Sequence, residues 1–338
     1  MLYIGGKVVQ QSYYIFSNGE IKRNDNTLQL IKEDGTKGDI PIERVYDIYV
    51  FSEMRFNTKL INFLAQKGVC VHFFNYYEYY SGTFYARESH VSGDLLIHQV
   101  KHYIDYEKRK YLACEFLKAG TQNIYRNLRY YNEREKELED PMNQIEGLFN
   151  SLKYARTINE MMGIEGNIRK VYYNSWNTII SADIGFEKRV KRPPDNVINT
   201  LISFLNSLLY TKVVSEIYRT QLNPTISYLH EPSEKRFSLS LDISEVFKPL
   251  IVDRMIFSLL NKNMINENDF EKDLNFLRIK DSAIKTITQE FDKRMQKTIK
   301  HKTLNRDVSY KHLMRLELYK LIKHLLGEKD YEGFRIWW

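Results

Sequence analysis

Ser92-Gly93-Asp94-Leu95-Leu96-Ile97-His98-Gln99-Val100-Lys101-His102-Tyr103-Ile104 is where the chain changes its period. Leu95, Leu96, Val100, Tyr103 and Ile104 recur at spacings of three and four, the repeat of one helix face. The pattern continues to Leu117 and predicts a helix that stops at Ala119-Gly120. Upstream, the runs are short or alternating: Met1 to Ile4, Val8 to Phe16, Glu20 to Arg23, Thr27 to Ile31, Gly38 to Pro41 and Val45 to Val50. Gly5-Gly6, Ser17-Asn18-Gly19 and Asp34-Gly35 punctuate them, and Asn18-Gly19 between two runs reads as a hairpin turn. Short strands without room for crossover helices predict antiparallel β structure, not a doubly wound sheet. One helix interrupts them, with Asn57 as its cap, Leu60, Ile61, Phe63 and Leu64 on its apolar face and Gly68 as its stop. Val69 to Phe74 then reads as a buried strand, with Cys70 a small core side chain and His72 its polar neighbour.

Downstream, helical spacing predicts helices at about 121–135, 142–161, 164–180, 197–217, 244–262, 270–300 and 309–326. Asp140-Pro141 and Pro193-Pro194 interrupt them, because proline removes a donor and restricts the residue before it. The expected fold class is α+β. A β-rich N-terminal domain at 1–85 and a linker at 86–93 lead into a predominantly α-helical domain at 94–338, read as almost wholly helical.

The 338 residues fit two domains, and 43% hydrophobic with 28% charged residues excludes a wholly disordered chain. No basic segment followed by an apolar stretch opens the sequence, so no signal peptide is expected. Apolar runs such as Leu201 to Tyr210 fall short of the roughly 20 residues of a membrane span, so no membrane partner is expected either. Cys70 and Cys114 form no C-x-x-C pair, which excludes a disulfide scaffold and a thiolate zinc site and fits a reducing cytoplasm. The 25 tyrosines suit a core or a subunit interface more readily than base stacking.

Net charge is only +7, but two basic runs stand out. Lys188-Arg189-Val190-Lys191-Arg192 precedes the double proline. Lys293, Lys297 and Lys300 read as one helical face within a longer concentration from Lys280 to Arg315. Both readings of these runs stand: solvated surface, or contacts to phosphates that release counterions.

No G-x-x-x-x-G-K-[ST], dinucleotide fingerprint, G-x-S-x-G or H-E-x-x-H occurs. What remains is a set of carboxylates and one histidine. Glu165, between Gly163 and Gly166, reads as a first-turn acid able to pair with Arg169 four residues on. The glycines cost helix stability, which suits close approach by another helix or a ligand. His230 follows Asn223-Pro224 in an interhelix segment; Asp242 reads as the cap of the next helix, with Glu245 three residues on. Put together, Glu165, Asp242 and Glu245 with the His230 imidazole form an oxygen-rich set that would suit Mg2+ or Mn2+ rather than structural zinc. On these residues alone three accounts stand: a metal-dependent nucleic-acid enzyme, a non-catalytic nucleic-acid-binding module, and an interaction protein with surface carboxylates.

Taken in order, Gly163-Ile164-Glu165-Gly166 with Tyr172, then Leu222-Asn223-Pro224 with Tyr228-Leu229-His230, then Ser238 to Pro249 with Asp253, resemble the CRISPR adaptation integrase and endonuclease family, that of the first CRISPR-associated protein. The resemblance spans essentially the whole chain and looks closest to the subtype I-B branch. It implies an N-terminal dimerisation domain, an all-α catalytic domain, a homodimer, and assembly with a second CRISPR-associated adaptation protein. It implies Glu165, His230 and Glu245 as ligands of Mn2+ or Mg2+, Asp242 as a supporting acid, and His230 neutral and held by a neighbouring partner. The implied reaction joins the 3′-hydroxyl ends of a captured fragment to the leader–repeat junction. The same site would cut DNA with water and act on branched DNA in reverse. The implied compartment is the prokaryotic cytoplasm. On this reading Lys188, Arg189, Lys191, Arg192, Lys293, Lys297 and Lys300 become DNA contacts.

Overall fold

The computed structural model describes residues 3–4, 7–8, 10–88, 90–182, 184–190, 194–232, 234, 237–273, 276–301 and 304–337. The chain divides into two compact units, Met1–Val91 and Ser92–Trp338.

In the first unit β1 (Tyr3–Ile4) pairs with β2 (Lys7–Val8), and two four-stranded sheets follow. The strands are β3 (Gln11–Ile15), β4 (Gly19–Asn24), β5 (Thr27–Lys32), β6 (Lys37–Pro41), β7 (Val45–Val50) and β8 (Met54–Phe56). Helix α1 (Thr58–Lys67), β9 (Cys70–Phe74) and β10 (Tyr80–Phe84) complete the unit. The sheet orders are β6-β5-β4-β8 and β10-β9-β7-β3. Ile15, Ile21, Leu28, Ile48, Leu60, Leu64 and Val71 share one apolar core. Asn57 accepts the Leu60 N–H at 2.9 Å and Gly68 takes φ 64° at the other end, so α1 starts and stops where its local signals place it.

The antiparallel expectation is corrected: β3–β7, β7–β9 and β4–β8 are parallel. The segment with β8 and α1 is the crossover from β7 to β9, and the β4–β6 meander carries the chain from β3 to β7. Asn18-Gly19 is not a hairpin turn but the step from one sheet to the other. The Asn18 side chain accepts the Glu53 N–H at 3.0 Å, and a Cβ on Gly19, whose φ is 152°, would lie 2.1 Å from the Ile31 carbonyl. The β4–β5 hairpin turns instead at Asp25, with φ 49°.

The second unit contains α2 (Gly93–Ile104), α3 (Tyr106–Asn132), α4 (Glu139–Ser151), α5 (Ile158–Asn174), α6 (Trp176–Ile179), α7 (Val197–Tyr218) and α8 (Ser238–Lys248). A π-helical segment, Pro249–Asp253, leads into α9 (Arg254–Asn261). Then come β11 (Phe270–Asp273), β12 (Phe276–Ile279), α10 (Asp281–Gln296), β13 (Thr298–His301), β14 (Arg306–Ser309) and α11 (Tyr310–Leu325). The unit is therefore not all-α: β11–β12 and β13–β14 are antiparallel hairpins, the first within the span expected as a helix at 270–300. Helix α7 is long and apolar enough to cross a membrane, contrary to the expectation that no run reaches that length. Yet 83% of its most apolar window is buried within the protein, as for a core helix. Buried Glu216 on it is paired with Arg315 at 2.6 Å.

Gly120 does not end a helix. The break falls at Asp105, whose carboxylate caps α3 through the Lys108 N–H at 3.2 Å, and α3 runs through Gly120. A Cβ there would stand 2.9 Å from the Glu245 carbonyl oxygen of α8. Pro249 has no N–H to offer that carbonyl four residues back. Two asparagines of α3 serve the neighbouring carbonyls: Asn123 Nδ2 donates to Val246 at 2.9 Å and Asn127 Nδ2 to Pro249 at 2.7 Å. Gly120→Val is expected to push α8 away and cost about 1–3 kcal/mol, read as a lower Tm. An unchanged melt would mean that α8 is not seated on Gly120.

The segment at 331–337 packs under the same helix. Ile336 is buried and donates its N–H to Asn123 Oδ1 at 2.9 Å, while Phe334 stacks on Phe247 at 5.9 Å. Trp338 lies outside the described residues.

Candidate active site

His230 is carried by the irregular segment between α7 and α8, and that segment is pinned from two sides. Gln99 of α2 accepts the Asn223 N–H at 2.8 Å and donates to the Asn223 carbonyl at 3.2 Å. Arg109 of α3 donates to the Tyr228 carbonyl at 2.9 Å and pairs with Glu231 at 2.6 Å. From the other side comes Asp242, fully buried inside α8. It is not the helix cap expected from sequence, because α8 begins at Ser238. One carboxylate oxygen accepts the backbone N–H groups of Tyr228 and Leu229 at 2.6 and 3.1 Å. The other accepts the His230 N–H at 3.0 Å and His230 Nδ1 at 2.8 Å.

A carboxylate only accepts, so Nδ1 carries a proton, and in the neutral ring Nε2 then keeps its lone pair. Burial lowers the His230 pKa, but the Asp242 bond and charge, with the Glu245 charge, outweigh it and leave the imidazole above its ordinary value.

Helix α5 is capped by Thr157, which accepts the Glu160 N–H at 3.1 Å, so it begins before the predicted 164 and Glu165 lies beyond its first turn. The i,i+4 pair with Arg169 is formed. The same guanidinium also bonds Glu245 of α8, so one cation joins the two carboxylates across helices. Lys248, one turn after Glu245, bonds its other oxygen. Burial pushes the Glu245 carboxyl up, but the charges of Lys248, Arg169 and His230 prevail and hold it well below the usual carboxylate range. Among the described residues nothing beyond their chain neighbours and their own helix backbone would lie within 4 Å of a Cβ on Gly163 or Gly166, so no described helix packs closely on them.

Residues 13–293 match the family described as CRISPR associated protein Cas1. The CRISPR-associated endonuclease Cas1 of Fusobacterium nucleatum subsp. nucleatum is 60% identical over 338 residues, covering all of both chains. The chain belongs to the Cas1 family. Among solved structures, a Cas1 protein from Thermotoga maritima superposes with a TM-score of 0.87 at 40% identity, over 96% of this chain and 100% of that one. A casposase bound to integration product shares the fold at a TM-score of 0.86 and 20% identity, over 95% of this chain and 92% of that one.

In this Cas1 chain the candidate donors are two hard carboxylates and one borderline imidazole, a set whose chemistry is compatible with Mn2+ or Mg2+. The Arg169 guanidinium already stands as a cation between Glu165 and Glu245. Among the described residues no three His, Cys, Asp or Glu side chains stand close enough to hold an ion in this conformation.

The basic residues divide. Lys188 is exposed, whereas Arg189 is bound to α7 through Asn199 Oδ1 at 3.1 Å and Ser203 at 2.9 Å. Lys191 and Arg192 lie outside the described residues. Lys293, Lys297 and Lys300 are exposed but do not share one helix face. Helix α10 ends at Gln296, Lys297 leaves it with ψ 127°, and Lys300 belongs to β13. Lys293 is paired with Glu290 at 2.6 Å.

Two partners of the site were not assigned a part in it from sequence. Lys248 carries the ordinary i,i+3 signal. Asp253 stood in the matching motif, but only the π-helical turn brings it behind the site. It is 2% exposed, its Oδ2 has no hydrogen-bond partner, and burial carries its pKa up to about 7 against the pull of Arg169 and Lys248. Because the folded value is raised, the protonated carboxyl contributes full stability below the unfolded value, and that stability is lost as pH rises through about 7. Asp253→Asn is expected to match wild type near pH 4 and exceed its metal-free stability by on the order of 2–4 kcal/mol near pH 9. Parallel melts across that range test it; curves that stay superimposed would mean Asp253 is ionised throughout.

Proposed function

We propose that this Cas1 chain is a divalent-metal-dependent DNA endonuclease and integrase that joins the 3′-hydroxyl of a captured DNA fragment to a CRISPR leader–repeat junction. The observation that carries this reading is the convergence of Glu165 and Glu245 on one cation, with His230 fixed by Asp242 one turn before Glu245. The name of the Fusobacterium relative, an endonuclease, supports it.

Glu165, Glu245 and His230 Nε2 would hold Mn2+ or Mg2+. When bound, the ion polarises the scissile phosphorus–oxygen bond and stabilises the charge that develops there. Asp242 keeps the Nδ1 proton in place, so the imidazole needs no rearrangement to present Nε2. Lys248 places positive charge beside a site meant for a phosphodiester. The attacking 3′-hydroxyl gives up its proton to solvent as its oxygen bonds phosphorus, and the old 3′-oxygen leaves with its strand and takes up a proton; water in place of the hydroxyl gives cleavage. The proposal includes double-stranded and branched DNA as substrates, a homodimer formed through 1–85, a second CRISPR-associated adaptation protein as partner, and the prokaryotic cytoplasm as compartment.

The test is strand transfer on labelled branched DNA with Mn2+, Mg2+ or EDTA, with and without the second adaptation protein. Metal-dependent religation and strand release are expected. Their absence in every condition, from a folded protein that still binds the DNA, would favour the non-catalytic DNA-binding account.

A further inference from the structure

Arg169 is an unusual neighbour for a metal site, since its guanidinium bonds both carboxylates assigned as ligands. A divalent ion and a guanidinium cannot share Glu165 and Glu245 without strong like-charge repulsion, so one must yield. A displaced arginine then needs a place, because a buried cation without a partner is costly. Asp253 offers one. Its Oδ2 is buried and has no hydrogen-bond partner, and it lies within electrostatic reach of Arg169, Lys248 and Glu245. It is also close enough to Tyr172, three residues beyond Arg169 on α5, for the two groups to feel each other's charge, so it stands near the helix turn that follows the arginine. Tyr173, four residues beyond Arg169, lies within electrostatic reach of the guanidinium and would line the path.

We propose that Arg169 is an exchangeable internal counterion, bridging Glu165 and Glu245 without metal and moving to the buried carboxylate of Asp253 when a divalent cation takes its place. This rests on the metal reading above. Arg169 is thus a positioning residue: it holds the two carboxylates together before the ion arrives and sets how tightly they bind it.

The test is Mn2+ titration by calorimetry, with melting curves with and without Mn2+, on wild type, Arg169→Gln, Arg169→Lys, Asp253→Asn and Glu165→Gln. Arg169→Gln removes the competing charge and is expected to bind Mn2+ about tenfold more tightly, with a lower metal-free Tm and a larger Mn2+-induced rise. Arg169→Lys keeps the charge and is expected to stay near wild type. Asp253→Asn, whose fold keeps every Arg169 bond to the two glutamates, is expected to bind Mn2+ about fivefold or more weakly because the displaced arginine loses its seat.

If wild type binds Mn2+ and both Arg169→Gln and Asp253→Asn bind it equally well, the exchange is wrong while the metal site stands. Weaker binding by Arg169→Gln would make the arginine part of the loaded site and also overturn the exchange. If no variant and no wild type binds, the metal reading fails and takes this proposal with it. Glu165→Gln marks the site: if it binds as wild type does, the ion sits elsewhere and both readings fall.

Discussion

Glu165→Ala is expected to abolish strand transfer and cleavage, by about 10³-fold or more, while binding of duplex DNA stays close to wild type. Glu165 supplies one of the two carboxylates assigned as ligands, and its side chain stays partly exposed. Its loss leaves Arg169 with Glu245, so the cation is not stranded and the fold should lose about 1–3 kcal/mol, less than a buried charge left without any partner would cost. Rate and stability therefore separate. A labelled strand-transfer assay measures the first, anisotropy with duplex DNA the binding, and a melt the third. Normal rates in Glu165→Ala would remove this residue from the chemistry. His230→Ala should reach the same loss of rate, since among the described residues His230 is the imidazole tied to Asp242.

Asp242→Asn is expected to combine a stability loss of about 3–5 kcal/mol with a 10–100-fold loss in Mn2+ affinity. One carboxylate accepts from three backbone N–H groups and one ring N–H, all converging on two oxygens. Asparagine keeps one oxygen and turns an NH2 group towards donors, so some buried N–H groups lose their acceptor. The segment that carries His230 then loses its anchor, and Nδ1 loses the acceptor that fixes its proton. Glu165 and Arg169 lie on another helix and should keep their pair. A melt and a Mn2+ titration on the same protein decide the matter. A variant that melts as wild type and binds Mn2+ normally would show that the loop holds itself.

What could be read in advance follows from how local each signal is. Asn57 and Gly68 act within one turn of α1, and their residue types sufficed. The i,i+4 spacing of Glu165 and Arg169 was equally local. Gly120 and Asp242 were misread because each type has a common local use, as helix stop and as cap, while here each serves a contact with another element. Gly120 makes room for α8, and Asp242 reaches back to a segment before its own helix. Parallel pairing of β3, β7 and β9 is a choice between partners distant in sequence, and alternation along one strand does not encode it. The bridge from Glu165 to Glu245 has no sequence period either; only the resemblance of three ordered motifs joined them in advance. The hairpin at 270–279 was lost because a short apolar stretch beside a helix fits both periods.

Asn123 holds the carbonyls of Val246 and Phe334 at once, and Gly333 is close enough to Ala119 that a Cβ on it would stand 2.5 Å away. The support beneath α8 is thus assembled from stretches separated by most of the unit. A nascent chain emerged only as far as residue 300 carries Glu165, His230 and Glu245, yet lacks the strap that seats their helix. Synthesis order therefore places every reactive group outside the ribosome before the platform that aligns them is closed. On the function proposed above, a half-made copy would carry the acids and the imidazole of the site without the support that seats α8.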